Sequence, residues 1–289
     1  MKKILLLGAN GQVGSDIVAA KDHYAIDLIP CDRQTADITN KTQLSQIIHH
    51  HRPDAVINAA AYTLVDKAET EKDIAFAINT TGPEYLAEIC NQLNIPLLHF
   101  STDYIFDGKK DYPYSEDDHA SPQGIYAQSK WLGEEAIRKK HSKHIILRVS
   151  WVFGKNGNNF VKTMLRLMEE KEQLNIVADQ KGCPTYATDI AHAALQIILN
   201  PSFGTFHYCG QPATTWHGFA SIIYEAIQSK HLVNTKKINA ITTSEYPTPA
   251  KRPMNSILDC KKIKNTFNLE CSNWKKGLIE MLALKGEPL

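Results

Sequence analysis

Five short apolar runs of strand length punctuate the first half of the chain, at residues 3–7, 25–30, 55–58, 96–100 and 144–149. Between them the apolar positions change period. Residues 15–20 suit a helix, 41–51 set Leu44, Ile47 and Ile48 on one helical face, and 71–93 carry a long helical pattern. Arg52-Pro53-Asp54 breaks the second of these, and the proline- and acid-rich residues 109–123 form a surface loop before the next helix. Strand and helix alternate in this way as far as residue 150, which predicts a Rossmann-like α/β fold with a doubly wound parallel sheet. Beyond Ser150 the rhythm changes. A glycine- and asparagine-rich stretch (151–160), a helix (161–170), a loop (179–185), a helix (189–199) and a proline-rich segment (246–253) follow. The expected division is a dinucleotide-binding domain over 1–150, with 174–199 packing back on it, and a smaller mixed α/β substrate lobe making up most of 151–289.

Candidate chemistry sits at the ends of the apolar runs. Gly8-Ala9-Asn10-Gly11-Gln12-Val13-Gly14 lies between the first strand and the first helix. Glycines there let backbone approach a phosphate, and helix-end amides face the anion, so Gly8, Gly11, Gln12, Val13 and Gly14 read as a pyrophosphate turn. Asp32, at the end of the second strand, stands where a ribose-binding carboxylate is expected, while the adjacent Arg33 could receive a 2′-phosphate. The pair leaves NADH and NADPH both open. Asp37 and Ile38 fall near the adenine in such a fold, and the small residues of Asn58-Ala59-Ala60-Ala61-Tyr62-Thr63 would let a cofactor lie over a strand end. Thr102, at the carboxyl end of the fourth strand, is the candidate hydroxyl for a substrate carbonyl. Tyr126 and Lys130 are four residues apart and so share one helical face. An ammonium beside a phenol favours the phenolate and lowers its pKa from about 10, which suits proton exchange in an alcohol–ketone interconversion.

Composition narrows the partners. With 32 basic against 31 acidic residues the net charge is +1, so a general nucleic-acid or membrane-surface binder is not expected. The six cysteines show no Cys-x-x-Cys spacing, which argues for reduced thiols rather than a zinc ribbon or disulfide framework. His49, His50 and His51 point in different directions on a helix and read as a solvated helix end, not a metal site. No run approaches the roughly 20 apolar residues of a membrane span, and the short apolar start ends in glycine rather than a cleavage site. A cytoplasmic protein is the expectation.

In this order, the glycine turn, residues 58–61, Thr102 and the Tyr126/Lys130 pair resemble the extended short-chain dehydrogenase/reductases. Further segments are similar to the dTDP-4-dehydrorhamnose reductases within them: Val65-Asp66-Lys67-Ala68-Glu69, Ser101-Thr102-Asp103-Tyr104, Ser150-Trp151-Val152, Gly157-Asn158-Asn159-Phe160, Asp179-Gln180 with Gly182 and Pro184-Thr185, and residues 246–252. The resemblance implies NAD(P)H-dependent reduction of the C4 ketone of dTDP-4-dehydro-L-rhamnose, giving an activated sugar for cell-surface polysaccharide. It implies that Tyr126 donates the proton, that Lys130 lowers the tyrosine pKa and holds the nicotinamide ribose, and that Thr102 orients the carbonyl. Gly11, Gln12, Val13, Asp32, Asp37, Ile38, Ala61, Tyr62 and Thr63 match cofactor positions, with Ala60 beside them; Thr102, Asp103, Trp151 and Asn159 match the sugar side. A diphosphate also needs cations and a packing surface, for which Arg252, Lys155, Lys162 and Trp151 are candidates. Some relatives carry magnesium between subunits, but Lys285-Gly286-Glu287-Pro288-Leu289 shows no counterpart, so no metal is expected and a homodimer stays open. Two other readings share these residues: a different nucleotide-sugar reductase or epimerase, and an NADP-binding regulatory subunit like that of methionine adenosyltransferase. A dehydratase is disfavoured because Asp103 is followed by Tyr104 rather than a second acid.

Overall fold

The computed structural model describes residues 1–228 and 233–283; the 285–289 segment read for magnesium lies outside the described residues. In chain order the elements are β1 (Lys2–Leu7), α1 (Gln12–Ala20), β2 (Ile26–Cys31), α2 (Lys41–His51), β3 (Ala55–Asn58), α3 (Val65–Ala68), α4 (Lys72–Phe76), a π-helical turn (Ala77–Thr81), α5 (Gly82–Leu93), β4 (Leu97–Thr102), α6 (Ile125–Lys140) and β5 (His144–Val149). There follow β6 (Val152–Phe153), α7 (Phe160–Glu170), β7 (Gln173–Val177), β8 (Lys181–Gly182), β9 (Thr185–Tyr186), α8 (Ala187–Leu199), β10 (Gly204–His207), β11 (Thr214–Thr215), α9 (Trp216–Ile227), β12 (Lys237–Ile241), α10 (Lys261–Phe267) and α11 (Trp274–Ala283).

Every residue of β3 and β4 is buried, as the continuous apolar runs require of strands covered on both faces. These strands lie inside a six-stranded parallel sheet of order β10-β5-β4-β3-β1-β2. Side chains alternate between its faces. Ile4 and Leu6 of β1 join Ile17 and Ala20 of α1 and the buried face of α8. Leu5 and Leu7 meet Leu44 and Ile48 of α2 and Leu86, Ile89 and Cys90 of α5 on the other side. Pro30 is tolerated because β2 is an edge strand, where a missing N–H breaks no ladder.

The helical pattern over 71–93 is present from Lys72 to Leu93, widening to π geometry over Ala77–Thr81 because Pro83 has no N–H to offer the carbonyl of Asn79. One expectation needed revision. The 179–185 loop contains two short strands, with β8 pairing β11 and β9 pairing β6. From beyond residue 150, α8 packs on α1 and β10 becomes the sheet edge beside β5. β7, by contrast, pairs with β12, and α7, α9 and α11 close a separate apolar core around Phe219 and Trp274. No helix among the described residues is long and apolar enough to cross a membrane. All six cysteines are free.

Because the chain leaves β1 first for β2 and then for β3, connections diverge on either side of β1. The carboxyl ends of β1 and β3 therefore open a crevice, the place where open α/β sheets take ligands.

Candidate active site

Gly8 follows β1 directly with φ of 73°, and a Cβ there would stand 2.6 Å from the Ala60 nitrogen after β3. Only glycine allows that approach. The Gly11 amide turns back to the Gly8 carbonyl at 2.9 Å, and α1 starts at Gln12 with no side-chain cap, so its first amides point into the crevice. Gly14 is pressed against the Gly8 carbonyl, which draws α1 close to the strand. This cradle fits the pyrophosphate of a dinucleotide. At the far end of β2, Asp32 accepts the Thr35 amide and hydroxyl and the Gln34 amide, contacts that hold its carboxyl below the usual range. Its other oxygen accepts from Asn10 at 3.2 Å, while Arg33 is exposed and reaches only Asp37, 3.8 Å away. Burial opposes ionisation of Asp37, yet Thr39 and Arg33 hold it low as well. Ile38 is buried with its side chain against Gly82. Ala60 is half-buried, and Ala61 and Thr63 are exposed along the crevice. Tyr62 is different: its ring is buried with Ala68 and Ala75, and its hydroxyl donates to Glu71 at 2.7 Å. Its amide and carbonyl are bonded as well, both to Asn79.

β4 ends at Thr102, with Asp103 next in the chain, and α6, which carries Tyr126 and Lys130 in its first turns, packs against this strand. Burial pushes the Asp103 carboxyl up to about 6, against donation from Ser256, Ser150 and Thr102. The Thr102 hydroxyl donates to Asp103 at 3.0 Å and accepts the Tyr104 amide at 3.2 Å. Tyr126 is half-buried. Burial pushes its phenol up to about 12, with the Thr102 hydroxyl pulling the other way and the Asp103 carboxylate adding to the rise. The Lys130 ammonium group does not figure among these influences. Its Nζ instead donates to the Phe100 carbonyl at 2.6 Å and lies 3.2 Å from His99 Nε2.

On the sugar side the candidates are paired off. Arg252 grips both oxygens of Asp66, at 2.9 and 3.1 Å, and holds that carboxyl below its ordinary value. Trp151, at φ of 44°, stacks on Trp216 with ring centres 3.5 Å apart and lies against Gly182. Asn159 caps α7 through the Lys162 amide and donates to Gln12 and to the Gly154 carbonyl, so its side chain clamps the lobe to the pyrophosphate turn. Lys162 donates to the Gly157 carbonyl.

Sequence reasoning missed the residues that hold this arrangement. Asn79 is buried and bonds both the amide and the carbonyl of Tyr62 as well as Ser129 of α6; the signal was an asparagine four residues before a proline in a helical run. Glu69 accepts the Ile125 amide at 2.9 Å and caps the helix that carries Tyr126. Asp66 and Glu69, seen in the sequence as parts of a motif, thus have separate structural tasks. His99 and Asn58 form a buried pair under Lys130.

A parallel sheet with its crevice beside a glycine cradle, and a Thr and a Tyr meeting at the end of β4 with a buried Lys one helical turn on, define a nicotinamide-dependent oxidoreductase of the short-chain dehydrogenase type. The chain belongs to the RmlD substrate binding domain family, whose model matches residues 1–285. It is similar to the dTDP-4-dehydrorhamnose reductase of Aggregatibacter actinomycetemcomitans, at 44% identity over 96% of this chain and 97% of that one. Among solved structures, it resembles a dTDP-4-dehydrorhamnose reductase from Clostridium acetobutylicum, with a TM-score of 0.93, 37% identity and coverage of 98% and 99% of the two chains. The Bacillus anthracis dTDP-4-dehydrorhamnose reductase in complex with NADP has a TM-score of 0.92, 35% identity and coverage of 98% and 99%.

Proposed function

We propose that the chain reduces the C4 ketone of dTDP-4-dehydro-L-rhamnose to dTDP-L-rhamnose with NADPH or NADH. The observation that carries the reading is the meeting of Thr102 and Tyr126 within one crevice wall, beside the Gly8 cradle. Bound nicotinamide supplies the hydride. Gly8, Gly11, Gln12, Val13 and Gly14 form the pyrophosphate turn, with the first amides of α1 facing the anion; Asp32, Arg33, Asp37, Ile38, Ala60, Ala61, Tyr62 and Thr63 line the rest of the cofactor. Thr102 orients the ketone oxygen, Tyr126 gives it a proton, and Lys130 holds the ribose and stabilises the phenolate left behind. Moving Lys130 off the Phe100 carbonyl is then part of forming the complex. Asp103, Trp151 and Arg252 face the sugar nucleotide, with Asn159 acting from behind Gln12. In this reading residues 1–150 hold the dinucleotide and 151–289 mainly the sugar, in a cytoplasmic enzyme.

The test is loss of reduced-nicotinamide absorbance with enzymatically prepared dTDP-4-dehydro-L-rhamnose, NADH and NADPH run in parallel, the product identified by mass and stereochemistry, and light scattering recording whether a homodimer forms. Coupled formation of dTDP-L-rhamnose is expected, and Tyr126→Phe should remove at least about 99% of it while cofactor affinity stays within threefold, since only the transferable proton and its hydroxyl are lost. Folded protein that binds cofactor without turnover would overturn the reading in favour of a regulatory subunit or another nucleotide sugar.

A further inference from the structure

Lys130 and His99 are 2% and 1% exposed, so every proton between them must find a partner within the protein. The orientation of this network is set from its far end. The Ala60 amide can only donate, and it meets Asn58 Oδ1 at 3.1 Å. That fixes the Asn58 amide, whose Nδ2 then donates to His99 Nδ1 at 2.9 Å. With Nδ1 accepting, a neutral imidazole carries its proton on Nε2, and this N–H points at Lys130 Nζ, 3.2 Å away. An ammonium has three donors and no acceptor, so it would set donor against donor. An amine satisfies everything: it accepts from His99 Nε2 and donates to the Phe100 carbonyl at 2.6 Å.

We infer that His99, oriented by Asn58, is a positioning residue that holds Lys130 as an uncharged amine in the ligand-free protein. This rests on the reductase reading for its consequence: the ammonium that assists Tyr126 is present only after Lys130 turns from His99 and takes up a proton. The groups facing the pair are Tyr126 one turn before Lys130, and Glu134 one turn after it, which is occupied by Arg148 of β5 and by Arg138. Burial lowers Lys130 to about 8, with Glu134 opposing, so the amine is the prevailing form above that pH, and burial keeps His99 well below its ordinary value. Both directions agree with the hydrogen-bond argument.

The first measurement is nitrogen NMR of histidine-labelled ligand-free protein, with the His99 signal assigned by its absence in His99→Gln. A bare Nδ1 and a protonated Nε2 at pH 9, above the Lys130 midpoint, are expected. The opposite tautomer, or an imidazolium, overturns the inference, and this readout needs no activity. The second is the pH profile of kcat/KM. Asn58→Asp replaces the donor facing His99 by an acceptor and keeps the acceptor for Ala60, so a neutral His99 carries its proton on Nδ1 and presents a bare Nε2 that accepts from a charged Lys130. Its alkaline limb should lie at least half a pH unit above that of wild type, a threefold change in proton concentration at the midpoint. A variant slower at every pH with an unmoved limb overturns the inference and leaves the reductase reading intact; a wild type with no turnover fails that reading while the tautomer stands on its own.

Discussion

On the β1–α1 side of the crevice the chain withholds side chains, whereas on the side built from α3, residues 246–253 and the lobe it supplies them and then pairs them with one another. Gly8, Gly11 and Gly14 keep the turn bare of side chains, and α1 begins without a side-chain cap, so its first amides stay open. Across the crevice, Arg252 is held by Asp66, Trp151 by Trp216, and Asn159 by Gln12 and its own helix. The first wall is ready for an anion without rearrangement. The second must exchange internal contacts for external ones, so its affinity is the difference between two sets of bonds rather than the sum of one.

The largest effect should come from spoiling the ready wall. Gly8→Ala forces a Cβ to within 2.6 Å of the Ala60 nitrogen in a backbone conformation that alanine resists. Cofactor affinity, followed by nicotinamide fluorescence, should fall by about a hundredfold or more, roughly 2.7 kcal/mol. A loss under threefold in protein with unchanged circular dichroism would mean that this turn does not meet the pyrophosphate closely, and the contrast between the walls would go with it.

A smaller effect, of informative sign, is expected from the Asp66–Arg252 pair. If Arg252 leaves Asp66 for a diphosphate, Arg252→Met should raise the KM for the sugar nucleotide about tenfold, or 1.4 kcal/mol, while Asp66→Asn frees the guanidinium and should lower KM by about threefold. An equal rise in both variants would make the pair a strut between α3 and the 246–253 segment, with no part in binding.

This contrast also explains what could be read from the chain without coordinates. The strands, the switch point and the glycine turn were legible because their causes are local: an apolar run, a glycine beside it, a helix start. The Tyr126/Lys130 pair was legible because a helix fixes the spacing of residues four apart. Asp66 and Arg252 lie 186 positions apart, and Gln12 and Asn159 147, so nothing in their neighbourhoods announced the pairing. The expected ammonium beside the Tyr126 phenol is a related case. Spacing put the two on one face, but a buried histidine on another strand, 31 positions away, decides where Nζ points. Tyr62 was read as part of a flat alanine-rich ledge, and its ring is instead drawn into the core by Glu71 and Asn79, partners from the next helical stretch.

The smallest expected effect concerns Asp103, where the two walls meet. Its carboxyl is satisfied by Thr102, Ser150 and Ser256, yet burial still raises it from 3.8 to about 6 in the folded protein. A carboxyl whose folded pKa exceeds its unfolded value favours folding fully below pH 3.8 and loses that contribution as the pH rises through about 6. Asp103→Asn has no such titration. Its stability relative to wild type, from urea unfolding of the ligand-free protein, should therefore be more favourable at pH 7.5 than at pH 5.5, by about 1 kcal/mol, the share of the shift that titrates between those two values. If the difference between the two proteins is the same at both pH values, the carboxylate is not burdened by its surroundings. Thr102 would then be free to turn from Asp103 to a ketone at little cost, and this wall would be as ready for its ligand as the glycine cradle opposite.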